Sequence, residues 1–191
     1  MKQLPGRLDP ELILVSPMRR TLQTAVLALD WLMENGVRSE AHAAWQETSH
    51  HPCNVGSPID TMKEEFPVID FSHVDPVFPD RLSPEAVFYE WSKKAILHRA
   101  QVCLKDLAQR PEKVILVVSH AAFMANAVTG CAFGNADYRI FDFEEPESEQ
   151  DTYRLKEWHQ TRETHGGMGW SWDVMVELGH DCPETRPAAD E

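Results

Sequence analysis

The apolar positions of this chain fall into short unbroken runs and longer runs at helical spacing. "ELILVSP" (11–17) places four apolar residues together before turn and cap signals, which predicts a short buried strand. Ser16 and Pro17 then suit the N-cap and first position of a helix. Leu22, Val26, Leu29, Leu32 and Met33 recur on one helical face, and Asn35-Gly36 supplies a stop. "EAHAAWQE" (40–47) reads as a second strand leading to Glu47. "KVILVVS" (113–119) is the clearest strand, with the continuous apolar run expected of one covered on both faces. "AFMANAVTG" predicts a helix, and "YRIFDFEE" (138–145) alternates like a last strand.

Residues 48–84 are rich in proline, aspartate and serine, and read as a long excursion with a short helix near 58–65. Excursions of that length in compact domains are often functional. Ser83-Pro84 is expected to cap a helix over roughly 84–109, with Val87, Trp91, Ile96, Ala100, Cys103, Leu104 and Leu107 toward the core. The tail beyond 146 reads as one helix and a tryptophan-rich packing segment. Strands alternating with helices predict an α/β fold of three layers, a mainly parallel sheet flanked by helices. One domain over 1–191 is expected, with a core at 10–145 and a C-terminal extension at 146–191.

Hydrophobic residues make up 42% of the chain and charged residues 26%, which is globular composition. The formal charge of −13 opposes binding to nucleic acid, whose phosphates it would repel. A small anionic ligand is still compatible, because a few focused arginines override the average. The four cysteines contain no CxxC and are expected to be reduced and mostly buried, as in a cytosolic protein. No apolar stretch has the length of a membrane span, and "MKQLPGRLDP" lacks the apolar centre of a signal peptide. A cytoplasmic protein with no membrane partner is the expectation.

In a parallel sheet, ligands gather at the carboxyl ends of the strands. Arg20, Glu47 and His120 are each predicted to arrive there. A helix start with an arginine beside it, and Ser16 at its cap, forms a ready anion site. Histidine and carboxylate together can serve as general acid and base. Simpler roles exist for each: a solvated helix arginine beside Arg19, a loop carboxylate, and a hydrogen-bonded histidine ending a buried strand. "HHPC" (50–53) is a poor metal site, since adjacent histidines rarely share one tetrahedral ion. Neither a metal nor a cofactor is expected.

"SPMRRTLQTA" (16–25) resembles the SPxxRxxQTA segment of the histidine phosphatase superfamily, the phosphoglycerate mutase-like proteins. "VILVVSHAAF" is similar to that family's later strand, which is usually followed by His-Gly. "WQETSHHPCNVGS", "FPVIDFS", "RPEKVILVVSH" and "NADYRIFDF" stand in similar order and spacing, especially to fungal members, so the resemblance spans about 10–145. It implies phosphoryl chemistry with two histidines, two arginines and an acidic residue. One histidine attacks phosphorus, the arginines and second histidine hold the oxygens, and the acid protonates the leaving oxygen. Carried over by motif, Arg20 is the arginine of the SPxxR segment, Glu47 the proton donor and His120 the phosphate-holding histidine.

The family's nucleophile lies in an Arg-His-Gly or Arg-His-Ala motif after a first strand, some forty or more residues before SPxxR. Here fifteen residues precede Ser16 and contain no histidine. The resemblance therefore implies a fold with its first strand missing and a degenerate site, not expected to be an efficient phosphatase. His50, His51, Cys53 and His165 are the other nucleophile candidates, with ordinary loop roles as the simpler reading. Ala121 and Ala122 stand where the family has glycines, and their methyl groups would narrow the pocket. A missing inner strand would expose a sheet edge, which segment 150–180 or a second protomer in a homodimer is expected to cover. Two other readings stay open. One is acid–base catalysis by Glu47 and His120 on a small unphosphorylated substrate (dehydration, isomerisation or cyclisation), with Arg20 anchoring a carboxylate, enolate or phenolate. The other is a non-catalytic binding module.

Overall fold

The structure is a computed structural model, and it describes residues 8–144 and 152–187. The chain start "MKQLPGR", the end of the strand expected at 138–145 and the first residues of the tail lie outside the described residues. Two compact units divide the chain: Met1–Val87 with Arg110–His120, and Phe88–Gln109 with Ala121–Glu191.

The first unit is built on a parallel sheet of three strands, β1 (Leu12–Val15), β2 (Arg38–Ala41) and β3 (Ile115–Val118), in the order β2-β1-β3. Leu12 stands opposite Arg38 on one side and Ile115 on the other. The central strand takes the most apolar sequence, and all four of its residues are fully buried. Burying each such side chain contributes about 1.5–3 kcal/mol. Helix α1 (Arg19–Glu34) lays Leu29 and Leu32 on Ile13, with Leu116 and Val118 beside them. Its Leu22 and Ala25 join Val15, Ala41 and Met62 of helix α2 (Ile59–Glu65) in a second cluster. The expected α/β architecture, a parallel sheet flanked by helices, is what forms.

Several local expectations change. The second strand is 38–41, not 40–47. The chain leaves the sheet at His42, whose Nδ1 accepts the Ala44 N–H at 3.2 Å and starts a 3-10 turn at Ala43–Trp45. The outer edge of β2 is closed by the returning excursion: Ala41 N–H donates to the Asp70 carbonyl, and Asp70 N–H to that of Ser39, both at 2.8 Å. Strand β3 is half-buried rather than enclosed on both faces, as befits the other edge of the sheet. Ser16 does not cap α1. Met18 holds the N-cap position without a side-chain bond, because the Ser16 hydroxyl is used elsewhere. The stop at Asn35-Gly36 forms as expected, with Gly36 at φ +88°.

In the second unit the helix expected over 84–109 begins only at Lys93, as α3 (Lys93–Gln109); Pro84–Tyr89 forms a separate 3-10 segment. Ser92 starts the helix by accepting the Ala95 N–H at its hydroxyl, and Val87 is exposed rather than in the core. Buried Arg99 stacks 4.2 Å over the Phe123 ring. The segment after β3, here α4, opens as an α-turn at Ala121–Phe123 and continues as π-helix over Met124–Thr129. Among the described residues, strand β4 (Phe141–Phe143) pairs antiparallel with β5 (Leu155–Glu157), ahead of α5 (His159–Glu163), and not as a last parallel strand. Segment 155–157 thus finds its strand partner in β4. Trp170 and Trp172 are 58% and 61% exposed, so the tryptophan-rich segment is not a packing segment.

The glycines of "THGGMGW" belong to a loop wrapped around Asp137. Its Oδ1 accepts N–H bonds from Tyr138 and Met168, and its Oδ2 accepts from the Trp170 N–H and the Ser171 hydroxyl, all at 2.7–3.0 Å. Gly166 has φ +91°, and a Cβ there would sit 2.1 Å from Asp137 Oδ2. Burial alone would raise the Asp137 carboxyl, but these bonds outweigh it and hold it below the usual carboxylate range. The contribution is therefore complete above the unfolded value near 4 and is lost as pH falls through the lower folded value. Near-UV dichroism of the tryptophans is expected to lose amplitude on acidification in that window in the native protein. In Asp137→Asn the loss is expected to be present already at pH 7; identical acid profiles for the two proteins would contradict this.

Candidate active site

The three strand ends of the first unit deliver Ser16, His42 and Ser119-His120 to one edge of the sheet, and α1 adds Arg20 one turn beyond β1. Because β1 and β3 are hydrogen-bonded neighbours, residues a hundred positions apart meet. Arg20 Nε donates to His120 Nδ1 at 3.1 Å, and His120 Nε2 lies 2.8 Å from Ser16 Oγ. A guanidinium can only donate, so Nδ1 is the acceptor nitrogen and the ring is neutral. The ring proton sits on Nε2 and is donated to the Ser16 hydroxyl. His120 and Ser16 are buried, whereas Arg20 is exposed.

The outgoing leg of the excursion holds the rest of Arg20. Nη1 donates to the Cys53 carbonyl at 2.8 Å and Nη2 to Asn54 Oδ1 at 3.1 Å. Asn54 Nδ2 in turn donates to Ser49 Oγ at 2.7 Å, which fixes the amide's orientation. Three of the five guanidinium N–H groups are thereby used, leaving one on each Nη for a ligand. The Glu47 carboxylate turns onto its own neighbour, with Oε1 accepting the Thr48 N–H at 2.9 Å. Its backbone is tied to Asn54 through buried Arg81, which donates to the carbonyls of Glu47 (2.7 Å), Thr48 (2.8 Å) and Asn54 (3.0 Å). Beside it, Asp80 accepts N–H bonds from Leu82 and Ser83. The Ser83 hydroxyl and these N–H groups hold its carboxyl down to about 2.

Ser16, Arg20 and His120 are brought into one hydrogen-bonded chain, and Glu47 joins it through the backbone. Ser16 reaches the histidine rather than standing at an open helix start. Asn54 and Arg81 carry no signal of their own in the sequence, apart from a lone arginine between the prolines of "FPDRLSP". Of the other nucleophile candidates, Cys53 engages Arg20 through its carbonyl, His50 and His51 stack with ring centroids 6.1 Å apart, and His165 lies at φ +56° in the Asp137 loop. Among the described residues, no group of three or more histidine, cysteine or acidic side chains is placed to hold a metal. Among them, too, no helix is long and apolar enough to cross a membrane.

The model of the histidine phosphatase superfamily (branch 1) matches residues 2–165, most of the chain and all of this site. The chain belongs to that family. A protein named as a probable phosphatase, from Schizosaccharomyces pombe (strain 972 / ATCC 24843), is 35% identical over 117 residues. That alignment covers 60% of this chain and 52% of the relative, so the chain spans about half the length of the curated protein it matches. No solved structure matches it.

All four cysteines are free thiols, and Cys53 alone among them is exposed. Burial pushes the Cys103 thiol up to about 12 and raises those of Cys131 and Cys182. Treatment with a disulfide reagent at pH 8 is expected to modify one thiol quickly, identified by peptide mapping as Cys53, and the other three only on denaturation. Fast modification of a second cysteine in the native protein would contradict the packing described.

Proposed function

We propose that this chain binds the phosphate group of a small ligand at Arg20, and that its own residues do not carry out efficient phosphohistidine hydrolysis. The observation that supports this best is the Arg20–His120 hydrogen bond, which joins the two residues that the motif resemblance singles out, at the carboxyl ends of neighbouring strands. The free N–H on each Nη of Arg20 offers the planar fork that suits two phosphate oxygens. His120, neutral and anchored by Ser16, keeps that fork in register while adding no second positive charge. Glu47, on the leg that also carries Cys53 and Asn54, is the carboxylate on the acid side of the bound group, and without an attacking histidine it has no leaving oxygen to protonate.

Family chemistry requires an attacking histidine, and this reading assigns none of the nine in the sequence to that role. His42 is committed to capping the turn at Ala43–Trp45, and residues 1–41 contain no histidine. A homodimer and a cytoplasmic location are compatible with this reading and form no part of its support.

Calorimetric titration with tungstate, a phosphate mimic, is expected to show one saturable site. Arg20→Ala should weaken it by tenfold or more, since charge-assisted hydrogen bonds contribute roughly 1.5–3 kcal/mol. Hydrolysis of an aryl phosphate between pH 4 and 8 is expected not to exceed that of Arg20→Ala. Turnover abolished by both Arg20→Ala and His120→Ala would show a working phosphatase and contradict the second half of the proposal. No tungstate binding would contradict the first half and favour acid–base chemistry on an unphosphorylated ligand or a non-catalytic role.

A further inference from the structure

We infer that Arg81 is the positioning residue that holds the acid side and the anion side of the site at a fixed spacing. The inference rests on the reading of Arg20 as the anion-binding group and extends it. The excursion leaves the sheet edge at Glu47 and returns through Arg81, and its two legs meet at this one side chain. Arg81 is 4% exposed, and its Nη2 donates to the carbonyls of both Glu47 and Thr48. From Nη1 a third bond reaches the carbonyl of Asn54. Asn54 is the residue whose side chain holds Arg20 Nη2, and its neighbour Cys53 holds Nη1. One guanidinium thus fixes the backbone under the Glu47 carboxylate and the backbone that aims the anion-binding fork.

A planar fork with donors in fixed directions can satisfy three carbonyls at once; a lysine ammonium on a flexible stem cannot hold the same geometry. The spacing of the legs has a second support in Gly56. A Cβ there would sit 2.1 Å from Phe78 Cζ, on the return leg three residues before Arg81. The outgoing leg therefore lies flush against the return leg just beyond Asn54. A displacement of about 1 Å in a group that positions a reacting or binding residue is enough to cost a large factor in function.

The test uses Arg81→Lys and Gly56→Ala, which disturb the spacing by different means, with Val68→Ala on the exposed part of the excursion as control. Two readouts are taken on the full chain. Nitrogen-15 shifts of the His120 ring, recorded without ligand, report whether Arg20 still donates to Nδ1, and tungstate titration reports the anion site. Both variants are expected to move the His120 ring nitrogens away from their native values. They should also weaken tungstate by about tenfold, while Val68→Ala changes neither. A role confined to stability would lower the urea midpoint and leave both readouts of the folded protein unchanged, which would overturn the inference. Where Arg81→Lys does not fold, Gly56→Ala decides by the same criteria. Should the native chain bind no tungstate, the anion reading falls, and the ring shifts alone still decide the role of Arg81.

Discussion

Everything at the candidate site depends on a single hydrogen bond, from Arg20 Nε to His120 Nδ1. It exists because β1 and β3 are parallel neighbours, so the helix after one strand and the residue after the other are forced together. The donor logic then propagates. Since arginine cannot accept, His120 must be neutral, and its proton must lie on Nε2 toward Ser16. A protonated ring would place a second cation beside the guanidinium and break the bond. The remaining arms of Arg20 are held by the excursion, and the excursion is held by Arg81.

The parts of this arrangement made of apolar periodicity were legible from the residues. "LILV", "ILVV" and the face of α1 can be read directly: burial on both sides of the central strand leaves "LILV" no other composition, and "ILVV" keeps an apolar run although its strand is a half-buried edge. Strand β2 lies at 38–41 and not at 40–47 because "RSEA" is polar, a sequence whose pairing comes from its neighbours rather than from its own pattern. Ser16 carried a true signal with a different meaning: a hydroxyl before a proline suits a helix cap, but a histidine across the sheet claimed it. Arg81 was illegible for a simpler reason. A lone arginine among prolines and aspartates looks solvated, and only the folding back of some thirty residues of chain turns it inward.

The motif resemblance singles out Ser16, Arg20, Glu47 and His120 along the chain, and the parallel sheet brings Ser16, Arg20 and His120 together in space. The two are independent. A family motif says which residue types recur, whereas the Arg20–His120 bond says what protonation state and orientation they have here. The chain spans about half of the curated protein it matches, and the residues in hand are an exposed arginine, a histidine that accepts its hydrogen bond and Glu47 on the neighbouring leg.

The measurement that tests this most directly is a crystal structure of the chain soaked with tungstate, whose heavy atom is unmistakable in anomalous maps. One tungstate is expected, with its oxygens within hydrogen-bond distance of Arg20 Nη1 and Nη2 and the Arg20 Nε to His120 Nδ1 bond intact. Tungstate bound elsewhere, or absent with this edge open to solvent, would contradict it.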